Sequence, residues 1–362
     1  MKTNFNKRIL LLSPLPPPAG GIASWTRKIF DYGLPDGYIP IIVNTKLQGK
    51  RKVFQKTGFS IDELYRTIHI LCLLLFQVIK NRPKTVHLNC CLSPLGVFRD
   101  LLCAVLIRLF GIPLISHYRG NLTDFPRQNR LSFLALKGLI KMSKINIALN
   151  KPSLELISVI VRGTELSPVM IPNFIDDDIF IKQPVVKIPR ERPRILFVGG
   201  ITRAKGCLEI LETARSMEEM DFVMIGSVLN DMEIALKDSP PNLFLRKELH
   251  PAEVIQEMCQ SDMLLFPSHS EGFPNVVLEA MSVGLPIIAT RVGAIPEMIE
   301  EEKGGVLVDV GDVKGIIHAL ERLINNSKLR ASMGQFNKEK SRNHYSYSIV
   351  VKKITALYDT IS

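Results

Sequence analysis

Short runs of consecutive apolar residues, flanked by Gly, Pro or charged positions, alternate along the chain with longer stretches in which apolar residues recur every three or four places. The first pattern is what a strand covered on both faces requires; the second is the stripe of a helix packed on a sheet. In the first half the runs fall at Arg8–Leu12, Ile39–Val43, Thr85–Asn89, Pro113–His117, Ile145–Leu149 and Val169–Ile171. Helical periodicity fills the intervals near Ile22–Phe30, Asp62–Lys80, Val97–Phe110, Arg130–Lys141 and Ser153–Val161. Strand then helix, repeated at this spacing, predicts βαβ units and one doubly wound parallel sheet.

Between Phe180 and Arg194 the pattern lapses into Pro184, Pro189 and Pro193 among mixed charges, and then it restarts. Further strands are predicted at Ile195–Val198, Phe222–Ile225, Leu243–Leu245, Met263–Phe266, Ile287–Ala289 and Val306–Val308. The chain therefore reads as α/β, with two Rossmann-like doubly wound domains facing across a cleft. The N-terminal domain covers 1–182, a linker 183–193 and the C-terminal domain 194–342. A last segment, 343–362, looks helical and has no strand after it, so it is expected to return to the first domain. Ligands are expected in the cleft, at the carboxyl ends of the strands. The length, 362 residues, agrees with two domains, because single cores stop growing near ~250 to 300 residues.

Charge separates the halves. Residues 1–190 carry 27 Lys+Arg against 11 Asp+Glu, a balance of +16, while residues 191–362 carry 19 against 24, a balance of −5. A basic half suits a phosphorylated substrate or an anionic membrane surface. Nucleic acid is the least supported partner, since no helix-turn-helix, zinc-finger or aromatic RNA-binding pattern accompanies the charge. The densest basic cluster is Lys46, Lys50, Arg51, Lys52 and Lys56. Pro14, Pro16, Pro17 and Pro18 interrupt the first apolar run, so it reads as a buried strand rather than a secretory signal. The run Ile68–Ile79 has about half the length of a membrane span and reads as a core helix, with an interfacial helix as the alternative. Six cysteines without metal-ligand spacing fit a reducing cytoplasm.

Candidate chemistry concentrates between Ser268 and Gly284. Here an apolar strand is followed by Ser270-Glu271-Gly272-Phe273-Pro274-Asn275 and a helix that opens near Asn275, where Asn is a favourable cap. The amides of Asn275, Val276 and Val277 at that helix N-terminus form a ready anion site, able to hold a diphosphate without a metal. Glu279 lies one helical turn beyond Asn275, on the same face, where its carboxylate can accept hydrogen bonds from two ribose hydroxyls. Glu271, in the loop before the helix, is nearer to a sugar attached to that diphosphate. Lys205 follows the strand Ile195–Val198 on a Gly-rich turn that lets backbone approach a phosphate.

Ser268 to Gly284, together with Phe197-Val198-Gly199-Gly200 and Lys205-Gly206, resembles glycosyltransferase family 4. The resemblance implies a retaining, metal-independent enzyme of the GT-B fold. In it the residue matching Glu271 contacts donor sugar hydroxyls, that matching Glu279 binds ribose, and that matching Lys205 pairs with the diphosphate. Gly200 stands where that family has an arginine, and Arg203 is the candidate to supply the missing charge. Gly20 and Gly21, in Ala19-Gly20-Gly21-Ile22, resemble the family's N-terminal glycine loop, and His117 its strand-end histidine near the transferred sugar. Ile171 to Asp176 resembles the segment closing the family's first domain. Asp176, Asp177 and Asp178 invite comparison with the metal-binding aspartates of the other glycosyltransferase fold, but they lie just before the linker rather than inside a nucleotide-binding domain.

The expectation is a cytoplasmic hexosyltransferase, peripheral on the inner face of the membrane, that moves a sugar from a nucleotide-sugar to a glycan or lipid-linked acceptor in polysaccharide or lipopolysaccharide synthesis. Catalytic candidates are Glu271, His117 and Lys205. Donor contacts are assigned to Gly20, Gly21, Gly199, Arg203, Lys205, Glu271, Gly272, Phe273, Pro274, Asn275, Val276 and Glu279, with no cofactor and no metal. The alternative is a non-catalytic nucleotide-sugar-binding protein of the same fold. A dinucleotide oxidoreductase is disfavoured, because no Gly-x-Gly-x-x-Gly opens either domain ahead of a suitably spaced acidic residue.

Overall fold

A computed structural model describes residues 7–17, 20–46, 61–127, 129–166, 168–180 and 188–361. They form two compact units: one runs to Asn173 and takes in the chain again from Val350, and the other is Phe174–Ile349. Each holds one parallel sheet of six strands, as the apolar runs predict.

In the first unit the elements are β1 (Lys7–Ser13), α1 (Gly21–Tyr32), β2 (Tyr38–Asn44), α2 (Ile61–Asn81), β3 (Thr85–Cys90), α3 (Pro94–Leu109), β4 (Leu114–Tyr118), α4 (Arg130–Met142), β5 (Ile145–Ala148), α5 (Lys151–Ile160) and β6 (Val169–Met170). Helix starts follow local chemistry. Ser93 accepts from the Gly96 amide with Pro94 as first helical residue, and Asn150 accepts from Ser153 with Pro152 in the first turn. The strand order is β2-β1-β3-β4-β5-β6, so connections run one way from β1 to β2 and the other way from β3 onward. Right-handed crossovers then place α1 on one face and α2 to α5 on the opposite face.

Strand periodicity divides the side chains accordingly. Leu10, Leu12, Val86, Leu88 and Tyr118 enter one core with Leu74 of α2, Ile107 of α3, Leu136 of α4 and Ile157 of α5. The intervening Ser13, His87, Asn89 and His117 are buried beneath α1. Here Asn89 Nδ2 donates to Ser13 Oγ at 2.9 Å, and Ser13 Oγ lies 2.5 Å from Thr26 Oγ1.

The second unit comprises β7 (Arg194–Val198), α6 (Cys207–Ser216), β8 (Asp221–Ile225), β9 (Leu243–Arg246), α7 (Pro251–Cys259), β10 (Met263–Phe266), α8 (Asn275–Val283), β11 (Ile287–Thr290), α9 (Ile295–Met298), β12 (Gly305–Val308), α10 (Val313–Ile324) and α11 (Ser327–Tyr345). Its order is β12-β11-β10-β7-β8-β9. The chain direction across the sheet therefore reverses between the neighbours β7 and β10, which is where an open α/β sheet makes its crevice.

The unit boundaries fall elsewhere than at 182 and 343. Residues from Phe174 join the second unit because Ile175 N donates to Tyr345 O at 2.8 Å and Tyr347 N to Ile175 O at 2.9 Å. The Phe174 ring also meets Tyr347 edge-on at 5.0 Å. The expected terminal helix is two helices broken at Ser346, and the last, α12 (Tyr347–Ile361), counts with the first unit from Val350 onward. In that unit the Tyr358 hydroxyl lies 2.7 Å from His87 Nδ1, and Asp359 accepts from Lys7 at 2.9 Å and from the Tyr38 hydroxyl at 2.6 Å. Residues 183–187 of the expected linker lie outside the described residues, as do Lys50, Arg51, Lys52, Lys56 and Ala19. All six cysteines are free thiols.

Candidate functional site

In the second unit, the adjacency of β7 and β10 (Met263 opposite Ile195, Leu264 opposite Leu196) brings the loops that follow them side by side. The loop after β7 runs through Gly199 and Gly200 to Thr202, whose hydroxyl accepts from the Lys205 amide at 3.2 Å and closes one 3-10 turn, Arg203–Lys205. Gly206 then takes a left-handed φ of +73°, and a Cβ there would sit 2.0 Å from Pro267 O. Only glycine allows β10's outgoing strand to pass so close.

The second loop is stitched to the first. His269 N donates to Ala204 O at 3.0 Å, and Lys205 Nζ donates to Glu271 Oε1 at 2.5 Å. The Glu271 side chain is 10% exposed and that of Lys205 34%, so the pair is shielded on the carboxylate side and open on the ammonium side. From behind, a Cβ on Gly293 would lie 1.9 Å from Glu271 O, and Ala294 N donates to Gly272 O at 3.0 Å. The turn at 292–294 is thus a backstop for the Glu271 loop. Phe273, 8% exposed, anchors the same loop edge-on to Tyr345 at 5.7 Å.

Helix α8 opens at Asn275, but the cap position belongs to Pro274 and no side chain caps it. The Val277 amide also departs from expectation: it donates to Pro274 O at 3.2 Å and is committed within the chain. The Asn275 and Val276 amides precede it in the first turn of the helix. Asn275, Val276 and Glu279 form the half-buried side of the helix while Val277, Leu278 and Ala280 face the core. Lys205 and Glu271 therefore meet at the β7/β10 crevice on the loop that leads into α8, and Glu279 stands on the half-buried side of that helix, one turn after Asn275. Such an arrangement can bind an anion at helix and lysine while leaving a carboxylate on either side for hydroxyl groups.

Arg203 is bonded to the loop after β8. It is exposed, its amide donates to Asp231 Oδ2 at 2.9 Å and its Nε to Asp231 O at 3.1 Å. A pair that sequence reading missed lies beside the site: His269 Nε2 is 2.6 Å from Glu209 Oε1, joining the Glu271 loop to α6. Spacing offered no signal for it, since the two are 60 residues apart.

The first unit holds the remaining candidates. Gly20 has φ 172°, an extended conformation, and a Cβ there would meet nothing within 4 Å, so nothing among the described residues requires glycine. His117 is fully buried: Nδ1 lies 3.3 Å from His87 Nε2, and Arg119 Nη1 lies 3.0 Å from Nε2. One tautomer assignment satisfies the series, with Arg119 donating to His117 Nε2, His117 Nδ1–H to His87 Nε2, and His87 Nδ1–H to the Tyr358 hydroxyl. Burial, with the Arg119 charge second, lowers the His87 pKa to about 3, and the same causes hold His117 well below its ordinary value. Burial also lowers Arg119 to about 9; its guanidinium lies 4.7 Å over the Trp25 ring. Trp25 is the sole tryptophan of the chain, and its part here had no signature in spacing.

Asp177, from the acidic triplet, accepts from the Ser348 amide at 3.2 Å. No group of three or more His, Cys, Asp or Glu among the described residues is placed to hold a metal ion.

Two doubly wound parallel sheets with a switch-point site between β7 and β10 define the GT-B class of glycosyltransferase fold. Within that class, residues 178–340 match the family of glycosyl transferases group 1. The capsular polysaccharide biosynthesis glycosyltransferase CapM of Staphylococcus aureus is 30% identical over 174 residues, 45% of this chain and 45% of that protein. The chain spans about half the length of the curated relatives it matches. Among solved structures, sucrose-phosphate synthase from Thermosynechococcus elongatus superposes with a TM-score of 0.81 at 15% identity, over 98% of this chain and 99% of its own. HepE of Anabaena, in complex with UDP and glucose, does so with a TM-score of 0.73 at 13% identity, over 98% and 100%.

Proposed function

We propose that the chain transfers a sugar from a nucleotide-sugar to a glycan or lipid-linked acceptor, with retention and without a metal, in capsular or lipopolysaccharide-type synthesis. The reading rests most on the preformed Lys205–Glu271 pair beside the α8 N-terminus, inside a group 1 glycosyl transferase domain. Support for the donor class comes from HepE, solved with UDP and glucose, and for the product class from CapM. The resemblance to family 4 carries the retaining stereochemistry.

In this mechanism the acceptor oxygen bonds to the anomeric carbon on the face from which the diphosphate departs. The carbon–oxygen bond to the diphosphate breaks, and the acceptor proton passes to a departing phosphate oxygen. Lys205 and the first-turn amides of α8 hold the charge that develops on the leaving group, the largest catalytic contribution in chemistry of this kind. Glu271 holds hydroxyls of the moving sugar and Glu279 those of the ribose. The enzyme works at the cytoplasmic face of the membrane, where an anionic surface presents a lipid-linked acceptor to the basic first unit.

A panel of UDP-, GDP- and ADP-sugars tests the reading. The matching donor at 100 times its dissociation constant raises stability by ~2.7 kcal/mol. Turnover with a soluble acceptor should persist in EDTA, and proton NMR should show the donor's anomeric configuration kept in the product. An inverted product would remove retention, loss of turnover restored by manganese would remove metal independence, and binding without transfer would leave the non-catalytic alternative.

A further inference from the structure

Helix α2 is apolar on both sides. Ile70, Leu74 and Val78 are buried against the sheet, while Ile61, Tyr65, Ile68, Cys72, Phe76 and Ile79, at a three-or-four spacing, face outward. Its neighbours repeat the arrangement: α3 exposes Phe98, Leu102, Val105 and Leu109, and α4 exposes Leu131 and Leu134. The three pack in sequence, α2 against α3 and α3 against α4, on one face of the first sheet. Exposure is high at both ends of the surface, 85% for Ile61 and 78% for Leu109. An ordinary surface helix in the same chain, α10, instead exposes Lys314, His318, Glu321 and Arg322. A contiguous apolar surface over three helices is a contact site rather than scatter.

Charge at its margin says what the contact is. Lys80, Arg108 and Lys141 stand in the last turns of α2, α3 and α4. Because all three helices return between parallel strands, these turns lie along one edge of the face. Complementing the helix dipole accounts for a basic residue at each end, but not for the apolar stripes between. The carboxylates of these helices are Asp62 and Glu63, in the first turn of α2, and Asp100, which is buried against Arg99. A second copy of the chain would bring the same charge to the same surface. No helix among the described residues is long and apolar enough to cross a membrane.

We infer that the outer face of α2, α3 and α4 seats on an anionic lipid bilayer, its apolar side chains in the interfacial region and its basic edge on the headgroups. The inference is independent of sugar transfer. It also differs from attachment by charge alone, which salt would abolish.

The full chain should float with vesicles of phosphatidylcholine and phosphatidylglycerol, and part of it should stay bound at ~1 M salt, where the Debye length is about 3 Å. Phe76→Asp with Leu109→Asp should lower vesicle binding at least tenfold and remove the salt-resistant part. Lys80→Glu with Arg108→Glu and Lys141→Glu should lower only the low-salt part. Thermal stabilisation by UDP, measured on each variant, should equal that of the parent, which separates this surface from the donor site and reports intact folding. Vesicle binding unchanged in both variants would overturn the inference. So would a concentration-dependent dimer of the parent chain that the aspartate variant abolishes, since the face would then belong to a second copy.

Discussion

Lys205 Nζ and Glu271 Oε1 meet at 2.5 Å across 66 residues of chain, each carried on the loop after one of two adjacent strands. The ammonium that would hold a diphosphate is thus already engaged by the carboxylate that would hold the sugar. On the proposed reading a donor would share Lys205 with Glu271, whereas a nucleotide diphosphate without sugar would draw on Lys205 alone.

Glu271→Ala should therefore separate turnover from nucleotide affinity. Hydrogen bonds to a charged group are worth ~1.5 to 3 kcal/mol, or roughly ten- to 150-fold, and that loss should appear in turnover. Affinity for UDP should hold or rise, because Lys205 is released from its partner. Titration calorimetry with UDP beside initial rates with intact donor checks both, and a large loss of UDP affinity in this variant would place the carboxylate on the wrong end of the donor.

Glu279→Ala should behave in the opposite way. Contacts to ribose are the same in ground and transition states, so UDP and donor affinity should both fall, again by roughly ten- to 150-fold, with kcat little changed. A variant that binds UDP like the parent would show that Glu279 lies off the ribose.

Two glycine substitutions discriminate structure from ligand approach. At Gly293, alanine combines a φ of +55° with a Cβ placed 1.9 Å from Glu271 O, so both thermal stability and turnover should fall. At Gly20, with extended φ and open space around the Cβ, alanine should leave the melting temperature unchanged. Lost turnover in Gly20→Ala alone would then report direct approach of substrate to that backbone. A lowered melting temperature in Gly20→Ala would contradict the geometry.

The buried histidines should make stability pH-dependent. Unfolded histidine gains its proton near pH 6.5, whereas burial holds folded His87 neutral down to about pH 3 and keeps His117 neutral well below its ordinary value. The unfolded chain then binds more protons, so stability falls as pH drops through this window, by up to ~1.4 kcal/mol per pH unit for each histidine. Urea unfolding between neutral pH and about pH 5 should show this slope, and His87→Gln should flatten it. An equal slope in that variant would mean that His87 is already charged in the fold.

Much of the architecture is legible in the sequence. Central strands such as β3, β4, β10 and β11 were readable because they are buried on both faces and so read as largely apolar runs, whereas the edge strand β9 is exposed along most of its length. The loop Glu271 to Asn275 was readable because a Gly-Phe-Pro turn ahead of a helix is a local feature. What stayed hidden depends on which strands become neighbours. Lys205 reaches Glu271 only because β7 pairs with β10. His269 reaches Glu209 through the same juxtaposition, and His87 joins His117 only through the register of β3 on β4. Even local capping was misjudged at Asn275, where Pro274 occupies the cap and its carbonyl takes the Val277 amide.

Sequence by itself determined the alternation of strand and helix, the restart near Arg194, the charge asymmetry and the identity of the groups that could meet a nucleotide-sugar. Tertiary structure alone decided where the units divide, that Phe174 and its successors pair with Tyr345 to Ser348, and that α2 shows the outside one of two apolar stripes. The physical reason is common to all three. An apolar side chain in the sequence carries no label for the surface it will meet, and that label comes only from the order and hand in which the strands assemble.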